Sequence, residues 1–412
     1  MEDIEIRIER ARALLQMKRA AEAIQELMLV LETSPDNYTA LVLACVGYHE
    51  LKDNARALEY AQKLVAACPA DDVAHYYMAI ASDMNKNNRS AEAHIREAIA
   101  INPHDADYFG FLAALYIEKS DWERALDLAN QGLEIDPENI LCLNHRTYAL
   151  TKLDRYDEVK TAVEDTLAAS PDSWYSHSNV GWSKLETRNY SEAKSHFAEA
   201  LRLNPNAEPA RRGMLETLKA SNFIYAWYLR YYFWLSKFSN QVQWVILIGF
   251  VFGRRLVFSL AKQFPVLYIV GVTMLLFVYT SWIIEPLGNF ILMLDRFGRY
   301  VLKQHEKIAA VTVGTGFIGG LLLLGAGYFT DYFPLIAFGG VWATVIVPLG
   351  KYFHEEPESR TVFIKAYTAL ITLLAVATII TMFTGSWFDT TLSAYTISVV
   401  AYTWIYNIRQ SS

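Results

Sequence analysis

The chain has 412 residues, of which 53% are hydrophobic and 20% charged, a charged share low for a purely soluble protein. Residues 1–220 hold 24 Lys and Arg against 36 Asp and Glu, whereas residues 221–412 hold 13 against 8. An acidic soluble half therefore precedes an apolar, mildly basic one. No nucleic-acid partner is expected, since the only part large enough to present a basic surface is net negative. The apolar content excludes an intrinsically disordered chain.

The first residues, MEDIEIRIERARALL, begin acidic and lack an apolar run, so no cleavable signal is expected and the first half is expected on the cytosolic side. Cys45, Cys68 and Cys142 form no CxxC pair. They fall at apolar helical positions and read as buried small hydrophobes of a reducing compartment.

Pro35, Pro69, Pro103, Pro137, Pro171 and Pro205 stand 34 residues apart. Each follows an apolar helical run (VLETSP, AIAINP, GLEIDP, ALRLNP), where proline stops a helix and starts a turn. Twelve residues before each proline come Ala23, Ala57, Ala91, Ala125, Val159 and Ala193; twenty-four before come Ala11, Cys45, Ala79, Ala113, Thr147 and Gly181. Small residues at these spacings mark where the two helices of a hairpin approach closely. Four residues before each proline a larger apolar knob recurs, from Leu31 and Val65 to Leu201.

This pattern resembles the tetratricopeptide repeat. The sixth unit carries it through Trp174, Gly181, Tyr190, Ala193, Phe197, Ala200 and Pro205, and the fourth through Phe109, Leu112, Ala113, Tyr116, Trp122, Ala125 and Pro137. Six repeats are read over 4–37, 38–71, 72–105, 106–139, 140–173 and 174–207, with a capping helix at 208–219. The resemblance implies an all-α solenoid of helix pairs whose first helices line a concave groove for a protein or peptide partner. Carried over by register, the groove residues are His49, Tyr76, Asp83, Glu118, Asn144, Tyr148, Lys152, Tyr175, Trp182 and Glu186. A lysine–asparagine clamp for a peptide carboxylate is matched only by Asn144 and Lys152, and such a clamp is disfavoured.

Residues 222–240, rich in Tyr, Trp and Phe with Arg230 and Lys237, read as an interfacial helix. The membrane domain, 241–412, holds apolar stretches at 265–284, 308–328, 333–350, 366–388 and 391–408. A further stretch at 241–261 carries Arg254 and Arg255, and its crossing stays open. An all-α transmembrane bundle of five or six spans is expected. Residues 286–304 read as a separate amphipathic stretch on the inner membrane surface. Arg296, Arg299, Lys303 and Lys307, then Lys351, Arg360 and Lys365, place two connections on the cytoplasmic side, opposite Asp331 and Asp389. A cytoplasmic solenoid then requires 241–261 to cross. The glycines of 308–328 suit close helix packing. The arrangement resembles bacterial membrane proteins with an N-terminal tetratricopeptide solenoid, which implies a multi-pass protein of the bacterial cytoplasmic membrane.

No catalytic constellation emerges. HEEPE at 354–358 is not HExxH, because residue 358 is Glu. GTGFIGG lies in an apolar stretch and follows no strand, so it does not read as a dinucleotide fingerprint. The expectation is a non-enzymatic scaffold or adaptor with no cofactor and no metal, held at a lipid bilayer and binding a protein or peptide. The alternative is a transporter or channel regulated by the solenoid, for which Arg254, Arg255, Tyr395, Tyr402 and Tyr406 are the candidate polar path.

Overall fold

The computed structural model describes residues 2–294, 298–357, 360–384 and 388–410, and all regular structure among them is helical. Twelve helices follow in order, two to each 34-residue repeat: α1 (Glu2–Gln16) and α2 (Ala20–Thr33), α3 (Tyr38–Glu50) and α4 (Asn54–Ala67), α5 (Asp72–Met84) and α6 (Asn88–Ile101), α7 (Ala106–Glu118) and α8 (Trp122–Ile135), α9 (Ile140–Lys152) and α10 (Tyr156–Ala169), and α11 (Trp174–Glu186) and α12 (Tyr190–Leu203). Then follow α13 (Glu208–Lys219), α14 (Phe223–Ser236), α15 (Asn240–Ala261), α16 (Leu267–Leu294), α17 (Gly298–Val301), α18 (Gln304–Thr330), α19 (Phe333–His354), α20 (Val362–Thr384) and α21 (Phe388–Gln410). The chain divides into two compact units. The first is Met1–Asn189 with Glu199–Pro205 and Lys237–Ser239; the second is Tyr190–Ala198, Asn206–Ser236 and Asn240–Ser412. The helix at 208–219 thus groups with the second unit.

In the first unit, local chemistry repeats with the 34-residue period. Asn37, Asp71, Asp105, Asn139 and Ser173 each cap the first helix of a hairpin, their side chains accepting a backbone N–H of its first turn. Asp53, Asn87 and Asp121 do the same for the second helices. Each hairpin turn holds one non-glycine residue in the left-handed region: Lys18, Lys52, Lys86, Ser120, Asp154 and Arg188. The next residue's N–H reaches back five residues, as Asp53 N does to Tyr48 O at 3.0 Å, closing a Schellman turn. A lysine there carries a steric cost that glycine does not. Lys52→Gly is therefore expected to stabilise the chain by about 0.5–1 kcal/mol; the check is a rise in urea midpoint at unchanged slope.

The small-residue positions are the closely packed ones. Ala11, Ala23, Ala79, Ala91, Ala125 and Ala193 are fully buried, and Thr147 and Val159 nearly so. At Gly132 an added Cβ would lie 2.4 Å from Cys142 Sγ. The knob positions differ from expectation. Leu31, Val65, Ile99, Leu133, Leu167 and Leu201 are only half-buried. The residue before each, Val30, Leu64, Ala98, Gly132, Thr166 or Ala200, is the buried one. That position faces the hairpin partner, while the knob one step round the helix sits at the margin of the packed face.

The core changes character along this unit. The first four hairpins bury Leu, Ile, Val, Tyr and Ala. Around α9 and α11 hydroxyl pairs join buried Leu143, Leu150, Val180 and Leu185: Thr147 with Thr166 at 3.1 Å, Thr151 with Ser183 at 2.7 Å, and Ser170 with Ser176 at 2.7 Å. Elsewhere, Glu92 of α6 accepts from Lys119, from Arg96 at 2.7 Å and from Tyr116 at 2.9 Å. The Lys119 ammonium chiefly holds its carboxyl down at about 2. Because the folded value is depressed, this pairing stabilises the fold fully above about pH 4.5 and is lost as pH falls toward 2. The gap in urea midpoint between wild type and Glu92→Gln is expected to close over that window.

In the second unit, α15, α16, α18, α19 and Val362–Met382 of α20 are long and apolar enough to cross a membrane. Their apolar side chains stay largely outside the packed interior, among them Val245, Phe252, Leu256, Ile269, Leu322 and Leu373. α15 covers 241–261. α16 begins two residues later than 265 and runs through Pro286 to Leu294. Of the amphipathic stretch expected at 286–304, residues 286–294 continue α16, with Ile283, Ile284, Gly288 and Leu292 buried, and 298–301 form α17. α20 covers 366–384, and residues 385–387 lie outside the described residues. α21 contains 391–408. Arg296 and Glu358 lie outside the described residues.

α18 packs on α19 through glycine. A Cβ at Gly316 would lie 2.5 Å from Ile346, one at Gly320 3.3 Å from Ala343, and one at Gly327 2.7 Å from Ile336. Arg211 of α13 forks onto Glu306 at 2.8 and 3.0 Å, donates to Val301 O at 3.1 Å and pairs with Glu208 at 2.8 Å. Lys303 extends the network to Glu208 at 3.3 Å and Glu356 at 2.8 Å. Tyr225 of α14 donates to Glu216 at 2.6 Å while Lys219 lies over its ring.

Candidate partner-binding groove

The ten residues expected to line a groove all lie on the first helices of hairpins two to six, and packing sorts them. His49 is exposed, with Nδ1 3.1 Å from Met84 Sδ. Tyr76 is half-buried against Tyr77, Tyr108 and Phe111, and burial pushes its hydroxyl up to about 12. Asp83 and Glu118 form an acidic pair on neighbouring first helices. Burial raises both carboxyls, and for Glu118 the charge of Asp83 adds to it; Asn88 donates to Glu118 at 3.1 Å. Tyr175 is 39% exposed beside Trp174, and Trp182 is half-buried.

Asn144 and Lys152 depart from the expectation. Asn144 is fully buried: its amide donates to Ile140 O at 2.8 Å and Ser176 Oγ at 3.1 Å, and it accepts from Asn179 at 2.9 Å. Lys152 and Glu186 pair at 2.9 Å with side chains only 4% and 7% exposed. Burial pushes the Glu186 carboxyl up, against the pull of Lys152, and its Oε1 has no hydrogen-bond partner. Register identifies the face on which these side chains start. It does not reveal that the following hairpin covers Asn144, or that two groove charges satisfy each other. No free lysine–asparagine clamp results.

Trp122 and Asp154 stand beside two of the expected groove residues, Tyr148 and Lys152. The Trp122 ring stands edge-on to Tyr148 with centroids 5.9 Å apart, and Lys152 Nζ lies 5.3 Å from the Tyr148 centroid. Burial pushes the Tyr148 hydroxyl up to about 12. Asp154, in the left-handed position of the fifth turn, projects beside them and accepts from the Tyr156 hydroxyl. Trp122 was legible only as a repeat-signature residue, and Asp154 falls in a turn that carries no ligand signal.

Among the described residues no group of three or more His, Cys, Asp and Glu is placed to hold a metal ion. His354 Nε2 instead lies 3.5 Å from Glu285. Tyr395 bonds Thr344 at 2.8 Å and Val341 O at 3.1 Å, and Tyr402 accepts from Thr368 at 3.2 Å, so both hydroxyls join helix to helix. The side chain of Tyr406 lies outside the described residues.

Tetratricopeptide-repeat family profiles match residues 4–37, 82–140 and 175–207. The chain carries tetratricopeptide repeats. Over 169 residues it is 27% identical to the type IV pilus assembly protein PilF of Pseudomonas aeruginosa, a match covering 40% of this chain and 65% of that relative, just under two thirds of its length. Among solved structures, a tetratricopeptide repeat protein from Parabacteroides merdae is 16% identical, with a TM-score of 0.47, covering 52% of this chain and 84% of that one. YrrB, described as a TPR protein with an unusual peptide-binding site, is 14% identical, with a TM-score of 0.33, covering 45% of this chain and 95% of its own. These repeats build scaffolds for protein–protein interaction, and in this chain they precede, among the described residues, five helices apolar enough to cross a membrane.

Proposed function

We propose that the chain is a non-enzymatic, membrane-anchored scaffold whose repeat domain holds a protein or peptide partner in its groove on the cytoplasmic side of a bacterial inner membrane. The observation that carries this reading is the pairing, in one chain, of tetratricopeptide repeats with five long helices whose apolar side chains lie outside the packed interior. Such a surface calls for lipid. A groove fixed at a membrane meets membrane partners at raised effective concentration. Kinship to a pilus assembly protein supports an assembly role over catalysis. Lys303, Lys307, Lys351, Arg360 and Lys365 argue for the cytoplasmic orientation. The groove residues retained are His49, Tyr76, Asp83, Glu118, Tyr148, Tyr175 and Trp182.

The test has two arms. Reporter fusions before residue 220 and at 305 should read cytoplasm and one at 331 exterior; a repeat domain reporting outside overturns the orientation. Partner capture from mild detergent should be lost in Tyr175→Ala/Trp182→Ala at nearly unchanged melting temperature, because aromatic anchors dominate interfaces. Equal capture by that double variant removes the groove as the binding surface.

A further inference from the structure

The segment Lys237–Ser239 belongs to the first compact unit although it follows the repeats by more than thirty residues. It lies at the groove-edge corner described above. Trp122 Nε1 donates to the Lys237 carbonyl oxygen at 2.7 Å, and Lys237 Nζ reaches Asp154 Oδ1 at 2.5 Å. The Lys237 charge also acts on the Glu186 carboxyl. The corner thus reads a backbone carbonyl and an ammonium of the same residue. An indole N–H anchors the main chain, a carboxylate takes the side chain, and the Trp122–Tyr148 pair walls the site. A lysine in a turn, as Lys237 is, meets these demands; an acidic segment would set a like charge against Asp154, and a purely apolar one would offer it no cation.

We propose that the corner formed by Trp122, Tyr148 and Asp154 is a binding site for a lysine-bearing turn of a protein partner, and that the chain's own Lys237 occupies it until such a segment displaces it. This rests on the scaffold reading and names both the partner's chemistry and the regulation. The internal segment competes at an effective concentration in the millimolar range, so it weakens capture of an external segment of comparable intrinsic affinity.

The probe is a fluorescent peptide of residues 234–241, WLSKFSNQ, titrated by anisotropy into the full chain in detergent. Wild type should bind it weakly, and Lys237→Ala about tenfold more tightly, since the occupant has lost its charge. Lys237→Ala/Asp154→Asn should lose that gain, and a peptide with glutamine in place of the lysine should not bind Lys237→Ala. Adding the peptide to wild type should speed hydrogen exchange at the amides of 237–239. Melting temperatures of the three proteins guard against unfolding as the cause. Equal peptide affinity of wild type and Lys237→Ala, or equal affinity for the lysine and glutamine peptides, overturns the proposal. Those results leave the scaffold reading intact if Tyr175→Ala/Trp182→Ala still abolishes partner capture; loss of both effects overturns the two together.

Discussion

Lys152→Met is expected to destabilise the repeat domain by about 3–5 kcal/mol, because it strands the Glu186 carboxylate among buried groups. The pair is 2.9 Å apart with both side chains almost wholly covered, and Glu186 Oε1 already lacks a partner. The defect should depend on pH with a definite sign. Burial raises the folded carboxyl above its unfolded value, so the folded state binds the extra proton. Stability of the variant is therefore greatest in acid and is lost as pH rises through the folded value. Lys152→Met/Glu186→Leu should return to within about 1 kcal/mol of wild type or exceed it, since apolar groups of similar volume replace buried ion pairs at little cost. Urea melts at pH 5 and pH 8 distinguish these outcomes. A single variant as stable as wild type at both pH values would mean that the pair is solvated.

Arg211→Ala carries the second large effect, again about 3–5 kcal/mol, this time in the second unit. Arg211 holds Glu306 through two parallel hydrogen bonds and also supplies Val301 O, while the Glu306 side chain is almost fully buried. Arg211→Lys should recover only part of the loss. An ammonium reaches one carboxylate oxygen at a time, whereas the guanidinium meets both and the carbonyl. Arg211→Ala/Glu306→Gln should be less damaging than Arg211→Ala alone, because a neutral amide tolerates the site better than an unpaired charge. Melting of the full chain in detergent reads all three. Arg211 also draws the Glu208 carboxyl down to about 2. The folded value is depressed, so the Glu208 contribution is present above about pH 4.5 and disappears as pH falls toward 2.

The repeat architecture was legible because its determinants are local. A proline every 34 residues and a small residue at each helix crossing act within a few residues of where they stand. What escaped depends on neighbours. Leu31 and its counterparts are large and periodic, yet the close packing falls one residue earlier. Asn144 and Lys152 carry the right register for a groove but are covered and paired across hairpins. Pro286 reads as a break, yet α16 passes through it. Lys237 lies 83 residues from Asp154, and nothing at that distance in the sequence announces their pairing.

The hydroxyl and amide contacts between α9 and α11 have an energetic consequence for the array. A stack of repeats is held by nearest-neighbour terms, and each term is set by the apolar area that its interface removes from water. A Thr–Ser or Ser–Ser hydrogen bond returns only about 0.5–1.5 kcal/mol net of lost hydration, less than the ~1.5–3 kcal/mol of a buried leucine or valine. Each hydroxyl pair therefore holds this junction less strongly than a buried leucine or valine in its place would, and replacing Thr151 and Ser183 together with apolar residues of matching volume is expected to tighten the array here.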